Sequence, residues 1–162
     1  MHLVLNMSRA LVKALAALGV AAYGLAALVT VADVMGRKLG YPVKGVVDLV
    51  QLFVVTGAWL VMPFAFMATA HVSVDFVIMK LPRTAVVPLR FMATALGVCL
   101  VGLMLWQGYL TFLTRTMFGD TSQQLGIPVA WYWYPLLIGL SMSLLALGLE
   151  LIGTLQGKNK HE

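Results

Sequence analysis

Charged side chains are confined to a few stretches of the chain, and four long intervals between them contain none. Lys13 and Asp33 bracket 19 uncharged residues, Asp48 and His71 bracket 22, Arg90 and Arg115 bracket 24, and Asp120 and Glu150 bracket 29. A helix needs about 20 mostly apolar residues to cross roughly 30 Å of hydrocarbon. The pattern therefore predicts an all-α integral membrane protein with four spans, over about 10–33, 46–69, 88–114 and 129–153. The connections are short, which makes an up-and-down antiparallel bundle the economical arrangement. The whole of 1–162 reads as a single four-span membrane domain, with no internal repeat or low-complexity tract.

Composition sharpens this picture. The chain is 61% hydrophobic and only 10% charged, with a mean hydropathy of +0.94, whereas a soluble domain carries about a quarter charged residues. A water-soluble enzyme and a disordered chain are both excluded on that ground. The formal charge of +5 would suggest nucleic acid in a soluble protein. Here the cations lie at span ends, where they set orientation and meet anionic lipid headgroups, so no nucleic-acid partner is expected. Membrane lipids are.

Orientation follows from the same cations. Arg9, Lys13, Lys80, Arg83, Arg90, Lys158 and Lys160 fall on the side of the termini, against Arg37, Lys38, Lys44 and Arg115 on the other. The positive-inside bias then places both termini and the central loop in the cytoplasm. The first span follows Arg9 and Lys13 as a secretory signal would, but its uncharged run exceeds the usual 7–15 residues of such a signal, so it reads as a retained anchor.

The loops carry specific expectations. Gly36, Gly40, Pro42 and Gly45 make the first external loop turn-rich. Pro128 suits the first turn of span four. Trp131, Tyr132 and Trp133 follow it as an aromatic belt at headgroup level. The cytoplasmic stretch from His71 to Arg83 is polar at 71, 73, 75 and 80 and otherwise apolar, and reads as a short segment lying in the interface plane.

Within the spans, chemistry is sparse. An intramembrane ionisable residue is the default mark of an ion or substrate pathway, and Asp33, Asp48, His71 and Glu150 all fall at span ends. Thr30, Gln51, Thr56, Thr94, Gln107, Thr111, Ser141 and Ser143 read as helix-to-helix hydrogen bonding. Pro63 reads as a kink. The only histidines are His2, His71 and His161, and Cys99 is the only cysteine, too few for haem, metal or disulfide chemistry. No cofactor and no enzyme activity are expected. Ala14, Ala17, Ala21 and Gly24 form a small-residue face on span one. Such a face allows close helix approach, either to another span of the bundle or to a partner.

Four places in the chain carry a family likeness. Asp33-Val34, Arg37, Gly40-Tyr41-Pro42, Gly45 and Asp48 join the first two spans. His71-Val-Ser-Val-Asp75 follows span two, and Leu81-Pro82 with a basic neighbour precedes span three. Thr121-Ser-Gln-Gln-Leu-Gly-Ile-Pro128, with Trp131 and Pro135, leads into span four. In order, spacing and side, from about 20 to 150, the sequence resembles the small membrane subunit of tripartite ATP-independent periplasmic (TRAP) transporters. It departs from many members in having Val47 before a single Asp48 rather than two adjacent acids.

The resemblance implies a three-part importer of the bacterial inner membrane. A soluble periplasmic protein captures an organic acid, and a large membrane subunit moves it inward, coupled to sodium or protons. The small subunit packs on the large one's scaffold and helps dock the binding protein. Arg37 and Asp48 then pair with each other or with the large subunit, or are plain solvated or headgroup-bound charges. His71 and Asp75 anchor the cytoplasmic segment, or are ordinary loop polarity. Trp131, Tyr132 and Trp133 serve as bilayer anchors or in docking. A rival of another class is a stand-alone homo-oligomeric channel or exporter lined by Thr and Ser.

Overall fold

A computed structural model describes residues 2–69 and 83–155. Four helices account for nearly all of them: α1 His2–Lys38, α2 Val46–Thr69, α3 Arg83–Met117 and α4 Ala130–Leu155. Each contains a stretch long and apolar enough to cross a membrane. No strand occurs among the described residues; one isolated bridge joins Thr121 and Pro128. His71, Asp75 and the expected interfacial segment lie outside the described residues.

The helices pass successively up and down, but they do not close into a square. α1 packs on α2, α2 on α4, and α4 on α3. The order in space is therefore 1-2-4-3, an open row with α4 inside and α3 at its edge. Val101, Leu140 and Leu147 form the core between α3 and α4, joined by Trp59, Met62 and Phe66 of α2. Few side chains are buried, as expected where lipid is as apolar as leucine and close packing must hold helices together.

Glycine decides where the backbones touch. At the α1–α2 crossing, a Cβ on Gly57 would stand 2.8 Å from the Tyr23 ring and 3.0 Å from the Gly19 carbonyl oxygen, and one on Gly19 would stand 3.0 Å from the Gly57 carbonyl oxygen. At the α2–α4 crossing, a Cβ on Gly139 would overlap the Trp59 carbonyl oxygen. Pro63, which is fully buried inside α2, lacks the N–H that would serve that same carbonyl four residues back. Gly139 thus brings the α4 backbone against an acceptor that its own helix leaves open, a place for a Cα–H···O contact.

Two expectations about span interiors change. The face of Ala14, Ala17, Ala21 and Gly24 is exposed, so it does not meet another of the described helices. The face that packs on α2 runs instead through Val12, Gly19, Ala22, Ala26 and Asp33. In an alanine-rich helix two neighbouring stripes are equally small, and only the partner's shape selects one. Thr30, Thr111 and Ser143 bond to their own helices rather than across helices. Each hydroxyl donates to the carbonyl four residues back, at 2.7–2.8 Å, as Ser and Thr in helices can.

α1 and α3 run past their charge-free intervals and end by the same device. Gly40 at φ 81° and Gly119 at φ 66° adopt the left-handed conformation. After α1, Gly40 N–H donates to Arg37 O and Tyr41 N–H to Gly36 O. After α3, Gly119 N–H donates to Thr116 O and Asp120 N–H to Arg115 O. Both are Schellman closures, which satisfy the last carbonyls of a helix.

Candidate functional site

The α1–α2 loop (39–45) and the α3–α4 loop (118–129) lie together at one end of the row, and most of the side-chain hydrogen bonds and ion pairs between described residues that reach beyond a single helix gather there. Asp33, 4% exposed, stands one turn before Arg37 on α1. Its Oδ2 accepts from Arg37 Nε at 2.7 Å and its Oδ1 from Val43 N–H at 3.2 Å. One carboxylate thereby ties the far end of the loop back to the helix that precedes it. The Arg37 side chain remains 66% exposed while it makes this bond.

Asp48, in the first turn of α2, is equally buried. Its Oδ2 accepts from the backbone N–H groups of Gln124 at 2.9 Å and Leu125 at 2.7 Å, and the Ser122 hydroxyl bonds to the same carboxylate. The Tyr132 hydroxyl donates to the Asp48 carbonyl at 3.0 Å. Leu125 packs directly on Gly45, where no Cβ would fit and φ is 74°. The start of α2 is thus clasped to the α3–α4 loop from both side chain and backbone.

That loop has a fixed internal shape. Ser122 N–H donates to Ile127 O and Val129 N–H to Asp120 O, and the Ser122 hydroxyl accepts from Ile127 N–H at 2.9 Å. Arg115 closes its other side on Asp120 at 2.9 Å. Pro128 consequently sits two residues before α4, in the bridge with Thr121, rather than in the helix's first turn as its sequence context suggests. Its carbonyl accepts from Trp131 N–H. Pairing with the loop outweighs the helix-start preference.

The structure separates the residues that the sequence singles out. Arg37 and Asp48 do not pair: Arg37 is held by Asp33, and Asp48 by the α3–α4 loop. Trp131, Tyr132 and Trp133 do not form one surface, because successive helix positions point about 100° apart. Trp131 is 60% exposed and meets Tyr134 edge-on, with ring centroids 6.3 Å apart. Tyr132 and Trp133 turn toward α2 and line an open cleft of about 550 Å³ with Asp48, Gln51, Trp59 and Leu136. The i,i+4 spacing of Asp33 and Arg37 was a usable signal for their pairing. Nothing local links Asp48 to positions 76 and 77 residues away.

Among the described residues, no three His, Cys, Asp or Glu side chains come together as a metal site would require. The arrangement can hold loops and present a surface. Four membrane-length helices, with one loop face clasped by buried carboxylates, define a small multi-pass membrane protein. The family model described as "Tripartite ATP-independent periplasmic transporters, DctQ component" matches residues 26–157, from within α1 past the end of α4. The chain belongs to that family: it is the small membrane component of a tripartite transporter, whose other parts are a large membrane subunit and a substrate-binding protein. No curated protein matches it.

Proposed function

We propose that this protein is a non-catalytic subunit of a secondary importer. It packs against the scaffold of the large membrane subunit, turns its loop face to the periplasm and helps dock the substrate-binding protein. The large subunit meanwhile carries an organic acid inward on a sodium or proton gradient. Both termini then lie in the cytoplasm, and the membrane is the bacterial inner membrane.

One observation carries this reading. Carboxylates, amines and guanidinium groups are absent from 14–32 of α1, 49–69 of α2, 91–114 of α3 and 130–149 of α4, so these described helices offer a charged solute or a coupling ion no station at mid-membrane. A component of a transporter that lacks such a station acts through what it packs against and what it presents. Affinity purification of the chain from its native membranes in mild detergent tests this. A stoichiometric large polytopic partner is the expected result, with uptake in vesicles only when both are present. A homo-oligomer with autonomous flux would overturn it in favour of a stand-alone channel.

A further inference from the structure

Charge on the loop face is sorted by direction. The acids of its first half turn inward: Asp33 and Asp48 are each 4% exposed and occupied by loop N–H groups. The cations turn outward. Arg37 is exposed beyond its bond to Asp33, and Lys38 and Lys44 are exposed with no acidic partner among the described residues. Between the two lysines, Leu39 and Tyr41 are 73% and 83% exposed.

We infer that this strip, Arg37 to Lys44, is a docking surface for an acidic patch on the soluble substrate-binding protein. The inference rests on the orientation and subunit role proposed above and names the chemistry of the contact. Topology does not account for the cations, because Lys and Arg in short translocated loops work against the positive-inside bias. Lipid headgroups would attract them, but a fluid headgroup layer asks for no particular loop shape. This loop has one. Gly40 closes α1, Asp33 holds Val43, the Tyr41 carbonyl is seated against Gly36, and Gly45 receives Leu125. A loop ordered in advance spares the ordering cost at association with a protein. Tyr and Arg are also the residues enriched where protein partners meet. Exposed lysines act at long range by steering an oppositely charged partner into encounter.

The test uses the complex of this chain with its large subunit, in nanodiscs of zwitterionic lipid, and the transporter's own binding protein in solution. For Lys38→Glu combined with Lys44→Glu, association at low salt is expected to slow by about tenfold or more. Its salt dependence should flatten, and recovery of the large subunit should stay unchanged. Lys38→Arg with Lys44→Arg should keep the original rate. An unchanged rate in an assembled complex overturns the docking strip. So does an unchanged rate accompanied by weaker retention on anionic vesicles, which would assign the lysines to headgroups. Labelling of Lys44→Cys by a membrane-impermeant maleimide separates this failure from that of the underlying reading. Labelling in intact spheroplasts leaves the orientation standing whatever the association rate shows, whereas labelling only after lysis sinks the orientation and the strip together.

Discussion

Asp33 and Arg37 make the same ion pair, yet their substitution has unequal expected costs. Arg37 is mostly in solvent, and an exposed pair contributes about 0–1 kcal/mol, so Arg37→Ala should change stability by no more than that. Asp33 is buried and also accepts Val43 N–H. Asp33→Ala leaves that donor without its partner, and a loss of about 1–3 kcal/mol is expected. Thermal unfolding of the two variants in detergent checks the asymmetry; equal shifts would contradict the loop-holding role of Asp33. Asp48 makes the corresponding prediction for the other loop. Asp48→Ala should speed amide exchange at Gln124 and Leu125 by roughly tenfold, the scale of one lost hydrogen bond. Exchange in the middle of α4 should not move. Asp48→Asn, which keeps an acceptor oxygen, should lie between the two.

Helices are held here by close backbone approach, and the sensitive positions are those where a side chain has no room. Gly139→Leu must push α4 off the Trp59 carbonyl, a rigid backbone neighbour. Overpacking of this kind costs about 1–3 kcal/mol, and a lower unfolding temperature in detergent is the expected readout. Gly57→Leu should act likewise on the α1–α2 crossing, since Tyr23 and the Gly19 carbonyl both stand in the way. Gly24→Leu is the control. Nothing lies within 4 Å of a Cβ there, so the isolated chain should tolerate it. A strong loss of stability from Gly24→Leu would mean that the exposed stripe is packed after all.

At the scale of the molecule, the open 1-2-4-3 row has both faces of its layer uncovered by other described residues along much of its length. Leu96, Leu100, Leu103, Trp106 and Leu110 of the edge helix α3 are exposed apolar side chains, compatible with lipid or with another membrane protein. A chain that packs on a larger scaffold should gain stability from it by mass action. The unfolding temperature of this subunit is therefore expected to be higher in the assembled complex than alone. An identical temperature in both settings would contradict a scaffold contact of any extent.

The four helices and their up-and-down course were legible in the sequence, because the rule that makes them is local. Backbone groups in hydrocarbon must be satisfied within the segment, so a charge-free run of membrane length is a helix whatever surrounds it. The closure at Gly40, in the loop that reads as turn-rich, is equally local, since it rests on one residue able to take a positive φ; the matching closure at Gly119 lies beyond the expected end of span three at 114 and came from the structure. The direction in which α1 presents its small residues was not legible, because two adjacent stripes satisfy the same spacing and only the positions of Gly57 and Tyr23 choose between them. Nor was the partner of Asp48, whose acceptors' donors lie more than seventy residues along the chain and arrive only when α4 crosses α2 at Gly139. Periodicity and charge spacing act over a turn or a span of one helix. Which helices cross, and which loops those crossings bring together, depends on side-chain volumes from distant parts of the chain meeting in space, and that was decided by the tertiary structure alone.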